Sequence, residues 1–266
     1  MRRSESSSFD RVTAIVAGLA LILLTAPTLV VLIASFTSGA SLRFPPPGLS
    51  LRWYVELLGS DDLIDMALRS LGIAVVTAAI AAGLGTSAAL ALARNRNPWA
   101  RALDTVFMSP LIVPWIAIGL GILVLTNLLG LPFSQITLVA GHVVVCVPFV
   151  LRTTLASLAQ IDPALKEASL SLGAGRARTF RRITLPLIAP GIGAGGFLAF
   201  VASFDNVPIS LFLADARSQM LPIRLWQMIQ ADLDPRVASI SAVVVVGTLV
   251  LMLVLERLIG VSRHLS

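Results

Sequence analysis

Six separate runs of apolar residues, each long enough for a helix of about 20 residues, decide what this chain can fold into. A helix of that length crosses the hydrocarbon core of a bilayer. Lipid offers no partner to an unpaired backbone N–H or C=O, so the runs predict an all-α integral membrane protein with six transmembrane helices. Their expected limits are 12–36, 66–93, 103–127, 135–158, 187–213 and 237–259. The composition agrees, with 56% hydrophobic and 13% charged residues, against about 25% charged in a soluble domain. The polar segments between the runs are too short to bury a core of their own, and one membrane domain is expected to fill residues 1–266.

Charge placement sets the expected orientation. Of the 20 Lys and Arg residues, 14 fall in segments that alternate onto one face of the membrane and six fall on the other. Basic residues are retained on the cytoplasmic side, so both termini and the 159–186 segment are expected in the cytoplasm. The arginines lie at the ends of apolar runs and form no continuous basic face, which argues against a nucleic-acid partner. The basic, Ser-rich start leads into a run longer than the core of a secretory leader, with no clear cleavage site after it, and reads as a retained first span.

Few residues invite chemistry. Cys146 is the only cysteine and sits in an apolar run, which excludes an intramolecular disulfide and a cysteine-cluster zinc site. His142 stands alone in the fourth run, as a packed or hydrogen-bonded residue with no second ligand at helical spacing, so no metal site is expected. No HExxH, no paired intramembrane aspartates and no nucleophile with a partner base occur, so no catalytic residue and no enzyme activity are expected.

The segment after the fourth run is built to hold a short helix. Asp162 is a natural N-cap, Pro163 suits the first helical position, and Glu167 lies in the early turns, where negative charge favours the helix dipole. Gly173 supplies the stop and Gly175 a second loose point. Ala164, Leu165, Ala168 and Leu172 fall near helical spacing and give a small apolar face, followed by Arg176, Arg178, Arg181 and Arg182 at the membrane surface.

These residues carry a resemblance. The loop of inner-membrane permease subunits of binding-protein-dependent ABC importers has the form Glu-Ala-Ala, three residues, Gly, nine residues, Ile, any residue, Leu-Pro. The chain matches it at Glu167, Ala168, Gly173, Ile183, Leu185 and Pro186 with the spacing intact, and departs at Ser169, where the second alanine usually stands. The six-span layout, with this loop between spans four and five, resembles the same family. The resemblance implies that the helix at 162–172 is a coupling helix seated on a cytoplasmic ATPase subunit. Glu167 would then be the polar contact, Ala168 the close-packing residue and Gly173 the bend. The chain has no GxxxxGK[ST] phosphate loop, so ATP and Mg would be bound by separate ATPase subunits and no cofactor by this chain. Two ATPase subunits, a second, homologous but non-identical permease subunit and a periplasmic substrate-binding protein are the implied partners, with alternating access in the bacterial inner membrane as the implied mechanism.

For the substrate, the stretch from Ser203 to Gln227 looks like the corresponding region of the spermidine/putrescine branch, which points to a polyamine or a related cationic nitrogen compound. Asp205 and Asn206 are the candidate residues of the path. Asp205 lies about 27 Å along the fifth run at ~1.5 Å per residue, where a carboxylate meets a cation or caps the helix interrupted by Pro208. Other solutes of such permeases, among them opines, ferric iron, thiamine and phosphonates, are the alternatives. A stand-alone secondary transporter is a further one, although it would need a coupling-ion site of its own. The outer loops at 38–65 and 214–236 are expected to face the binding protein, with Arg217 and Arg224 available for salt bridges.

Overall fold

The computed structural model describes residues 3–95, 97–132, 134–215, 219–231 and 233–259, with side chains from residue 12 to residue 257. Arg217 lies outside the described residues. The described chain is helical, with a single isolated bridge between Thr37 and Leu49. In order, the helices are α1 (Arg3–Ala34), α2 (Arg52–Leu58), α3 (Asp61–Arg94), α4 (Pro98–Ile112), α5 (Trp115–Leu128), α6 (Gln135–Ala159), α7 (Pro163–Ser171), α8 (Arg176–Thr179), α9 (Leu185–Phe204), α10 (Val207–Leu213), α11 (Leu221–Ala231) and α12 (Pro235–Ile259). A π-helical turn, Phe180–Thr184, joins α8 to α9. Among the described residues, five helical segments are long and apolar enough to cross a membrane, and a sixth is present if the bent pair α4 and α5 counts as one span.

Two of the expected spans are broken. The run 103–127 was expected as one helix, but α4 and α5 meet at a bend of 107°. Proline explains it: Pro114 has no N–H and drives Val113 into an extended conformation, with ψ at 134°. The carbonyl that Pro114 would have bonded belongs to Pro110, and the Trp115 indole N–H donates to it instead at 3.1 Å. The run 187–213 was likewise expected to be continuous. It stops at Phe204 and restarts at Val207, with Pro208 in the first turn of α10.

The described residues form two compact units, one of residues up to Asp61 with Gln227–Gly247, the other of Asp62–Trp226 with residues from Thr248 on. In the first, the Ser35 and Tyr54 hydroxyls meet at 2.6 Å, and the Ser239 hydroxyl donates to Ser35 O at 3.0 Å. Arg236 bonds Asp234 at 2.6 Å and Glu56 at 3.3 Å. Most apolar side chains along α1 from Val12 to Val30 are exposed, as suits a helix whose neighbour is lipid or another chain.

The second unit is organised around α6, the most buried of its helices. Leu138, Val145, Val150 and Leu151 of α6 are buried completely, with Ile188 of α9 and Ile209 and Leu213 of α10. The face that α9 turns toward α6 repeats every four residues as Gly191, Gly195, Ala199 and Ser203, all buried. Small residues at this spacing let two backbones approach. A Cβ on Gly191 would stand 2.6 Å from Thr153 O, and one on Gly195 would stand 2.6 Å from Val150 Cα. Gly196, one position on, has open space around it. The broken halves α5 and α10 pack together, with Gly119 of α5 against Phe212 and the Pro208 carbonyl.

Candidate functional site

Two places in the second unit hold the residues singled out by sequence, the 159–186 loop and the interruption of the fifth span.

In the loop, Asp162 Oδ1 accepts the Ala164 N–H at 2.9 Å and Pro163 opens α7, as the residue types dictate. The other end closes on Gly173, whose φ of +81° is a left-handed conformation open to glycine at little cost. There the Gly173 N–H donates to Leu170 O at 3.0 Å and the Ala174 N–H to Ser169 O at 3.1 Å, the paired bonds that satisfy the last carbonyls of a helix. Between these caps α7 has no buried residue. Leu165, Ala168 and Leu172 are exposed, Leu172 to 88%, and Glu167 is exposed beside Ala168. Leu165, Ala168, Leu172 and Glu167 thus give α7 an apolar and acidic surface that this chain itself leaves uncovered.

Ser169 is the half-buried exception. Its hydroxyl lies 2.9 Å from the hydroxyl of Thr179, which is itself 3% exposed. Thr179 closes α8 and leads into the π turn that holds Ile183. Pro186 explains the wide turn, because its ring displaces the Arg182 carbonyl and its missing N–H leaves that carbonyl without the usual bond. The Leu185 N–H accordingly reaches five residues back to Phe180 O.

At the interruption of span five the side-chain cap that the sequence offered to Asp205 falls to its neighbour. Asn206, completely buried, is the cap: its Oδ1 accepts the Ile209 N–H at 2.9 Å. Its Nδ2 has no partner among the described residues. Asp205 ends α9 through its backbone, with its N–H on Val201 O at 3.1 Å, and its side chain is exposed. His142 joins the two halves from α6. One imidazole nitrogen lies 2.7 Å from the Ser203 hydroxyl on α9 and the other 3.1 Å from the Ser210 hydroxyl on α10. The reading of His142 as a hydrogen-bonded residue agrees with this arrangement, but its partners could not be found by helical spacing, since they lie 61 and 68 residues away. No group of three or more metal-ligating side chains occurs among the described residues.

A short helix with no buried residue thus lies between long apolar helices, and a broken apolar span follows it. Residues 81–262 match the family model of the binding-protein-dependent transport system inner membrane component, and the chain belongs to that family. It is 32% identical to the spermidine/putrescine transport system permease protein PotC of Escherichia coli (strain K12) over 231 residues, which covers 85% of this chain and 86% of that protein. It is also 32% identical to the putrescine transport system permease protein PotI of the same organism over 228 residues, 83% of this chain and 81% of that one. Among solved structures, a chain of a bacterial ABC transporter for the acidic polysaccharide alginate superposes with a TM-score of 0.73 over 98% of this chain and 99% of its own, at 17% identity. The last comparison speaks for the fold alone. The chain is thus a multi-pass inner-membrane permease subunit, and the sequence resemblance drawn from Glu167 to Pro186 led to the right family.

Proposed function

We propose that this permease forms, with a homologous and non-identical second permease subunit, the path by which a polyamine enters the cell. In this reading the whole of residues 1–266 is one permease domain with both termini in the cytoplasm. Two ATPase subunits bind ATP and Mg, and a periplasmic binding protein delivers the solute. The observation that carries the substrate class is the similarity to two polyamine permeases over more than four-fifths of the chain. The exposed carboxylate of Asp205 supports it. At a break in a membrane span it meets a primary ammonium group that is shedding water, where opposite charges attract most strongly.

Coupling runs through α7. Its exposed apolar face and Glu167 seat in a groove of the ATPase, and Ala168 lets the two surfaces approach. Closure of the ATPase pair on ATP carries α7 with it. The motion passes through Thr179 and the π turn into α9, whose glycine seam makes it one body with α6. Ile183, Leu185 and Pro186 occupy the turn where the direction of the loop becomes the direction of the span.

The test is ATP hydrolysis by the complex reconstituted in lipid with its ATPase and binding protein, with spermidine, putrescine, and anions as solutes. Stimulation by spermidine or putrescine and by no anion is expected. Stimulation by another solute alone removes the polyamine assignment, and failure to associate with any ATPase removes the coupling assignment.

A further inference from the structure

Resting on the assignment of α7 as the coupling helix, we infer that Ser169 is a positioning residue for coupling, acting as a hydrogen-bonded yoke between α7 and Thr179 at the head of the fifth span. The sequence alone makes Ser169 a small-for-small replacement of the family's second alanine. The structure gives it work that an alanine could not do. No side chain of α7 is buried, so apolar packing does little to hold the helix to the rest of the chain. At Gly173 the chain turns through a left-handed residue, where the bonds of the Gly173 and Ala174 N–H groups back to Leu170 O and Ser169 O close the helix end but do not reach the span. The hydroxyl pair of Ser169 and Thr179, 2.9 Å apart and ten residues apart in sequence, bridges that turn.

The far end of the bridge is firm. Thr179 is 3% exposed, its N–H donates to Gly175 O at 3.0 Å, and its hydroxyl lies 3.3 Å from the same carbonyl. With the Thr179 proton directed to Gly175 O, Ser169 is the donor to Thr179, and the three groups form a chain in which each bond strengthens the next. A Ser169→Ala change therefore leaves Thr179 with its Gly175 bond and no stranded buried donor. The loop keeps its fold, and the connection between α7 and the span is what is lost. Without it, a force on α7 is spent swinging the helix about Gly173 before α9 moves.

The experiment uses the assembled transporter in lipid vesicles, measuring spermidine taken up per ATP hydrolysed for wild type, Ser169→Ala, Thr179→Val, the double variant, Thr179→Ser and Glu167→Arg. Loss of one hydrogen bond of ordinary strength corresponds to about a three- to tenfold loss in that ratio for Ser169→Ala and for Thr179→Val. ATPase subunits should co-purify as in wild type, the double variant should be no worse than either single one, and Thr179→Ser should retain coupling. Wild-type ratios in Ser169→Ala, or losses that add in the double variant, would overturn the yoke while leaving the coupling helix standing, provided Glu167→Arg is inactive. If Glu167→Arg is also indistinguishable from wild type, the coupling-helix assignment itself is wrong. Reduced co-purification in Ser169→Ala would make the residue a contact with the ATPase and overturn the positioning role.

Discussion

The seam between α6 and α9 and the loop helix α7 lie only a few turns apart in sequence, yet they are built on opposite principles. The seam is glycine against backbone: Gly191 and Gly195 stand so close to Thr153 and Val150 that no side chain fits between. α7 buries nothing and keeps its shape through its caps and one hydroxyl pair. The difference separates two requirements of a driven transporter. The part that carries force must not flex, and dense packing supplies that. In the proposed mechanism the part that receives force offers its apolar surface to another chain, so its own stability has to come from polar bonds at its ends.

The contrast can be broken at several points. The largest effect belongs to the seam. Gly195→Val forces a side chain against the Val150 backbone and should cost about 3 kcal/mol or more, seen as loss of folded protein in detergent by size-exclusion chromatography. If α9 kept its place with a valine there, the seam would not be rigid. Glu167→Arg comes next and reverses the pattern, with normal yield and thermal stability. Polyamine-stimulated ATP hydrolysis should fall more than about tenfold, because a charge is turned against the partner's groove. Asp205→Asn should lower spermidine uptake about tenfold with ATPase assembly unchanged, the loss expected when a charge-assisted bond becomes a neutral one. His142→Ala removes both links between the halves of span five and should cost about 2 kcal/mol, read as a lower melting midpoint in lipid nanodiscs. The smallest effect is Gly196→Ala, beside the seam but facing open space, which should lie within about 0.5 kcal/mol of wild type.

Much of this was legible in the chain itself. Hydropathy marked where the long apolar helices lie, because a lipid environment requires length and apolarity of any spanning helix, but α1 begins at Arg3, nine residues before the apolar run does. Asp162, Pro163 and Gly173 specified α7 because caps are local chemistry between neighbours in sequence. The breaks were less visible. Pro110 and Pro114 stood in the third run as a signal, but the apolar run around them reads as continuous when hydropathy is averaged, and only the backbone shows a 107° turn. At the fifth span, Pro208 marked the interruption, and Asp205 was the candidate cap. Asn206 holds that place because the cap is buried, where an amide is cheaper to desolvate than a carboxylate. The partners of His142 and Ser169 were beyond reach, since nothing local fixes which hydroxyl on another helix a side chain will meet.

The π turn at Phe180–Thr184 also acts as a matter of phase. Each residue of an α-helix advances the chain by about 100° around its axis, and a π turn absorbs one extra residue per turn without passing on the full rotation. The bearing of α8 about the axis of span five therefore depends on the number of residues in the turn, and the Ser169–Thr179 hydroxyl pair relays it to α7. If α7 couples as proposed, inserting or deleting a single residue between Gly173 and Ile183 would aim an intact surface in the wrong direction, so the nine positions of that interval work as a protractor.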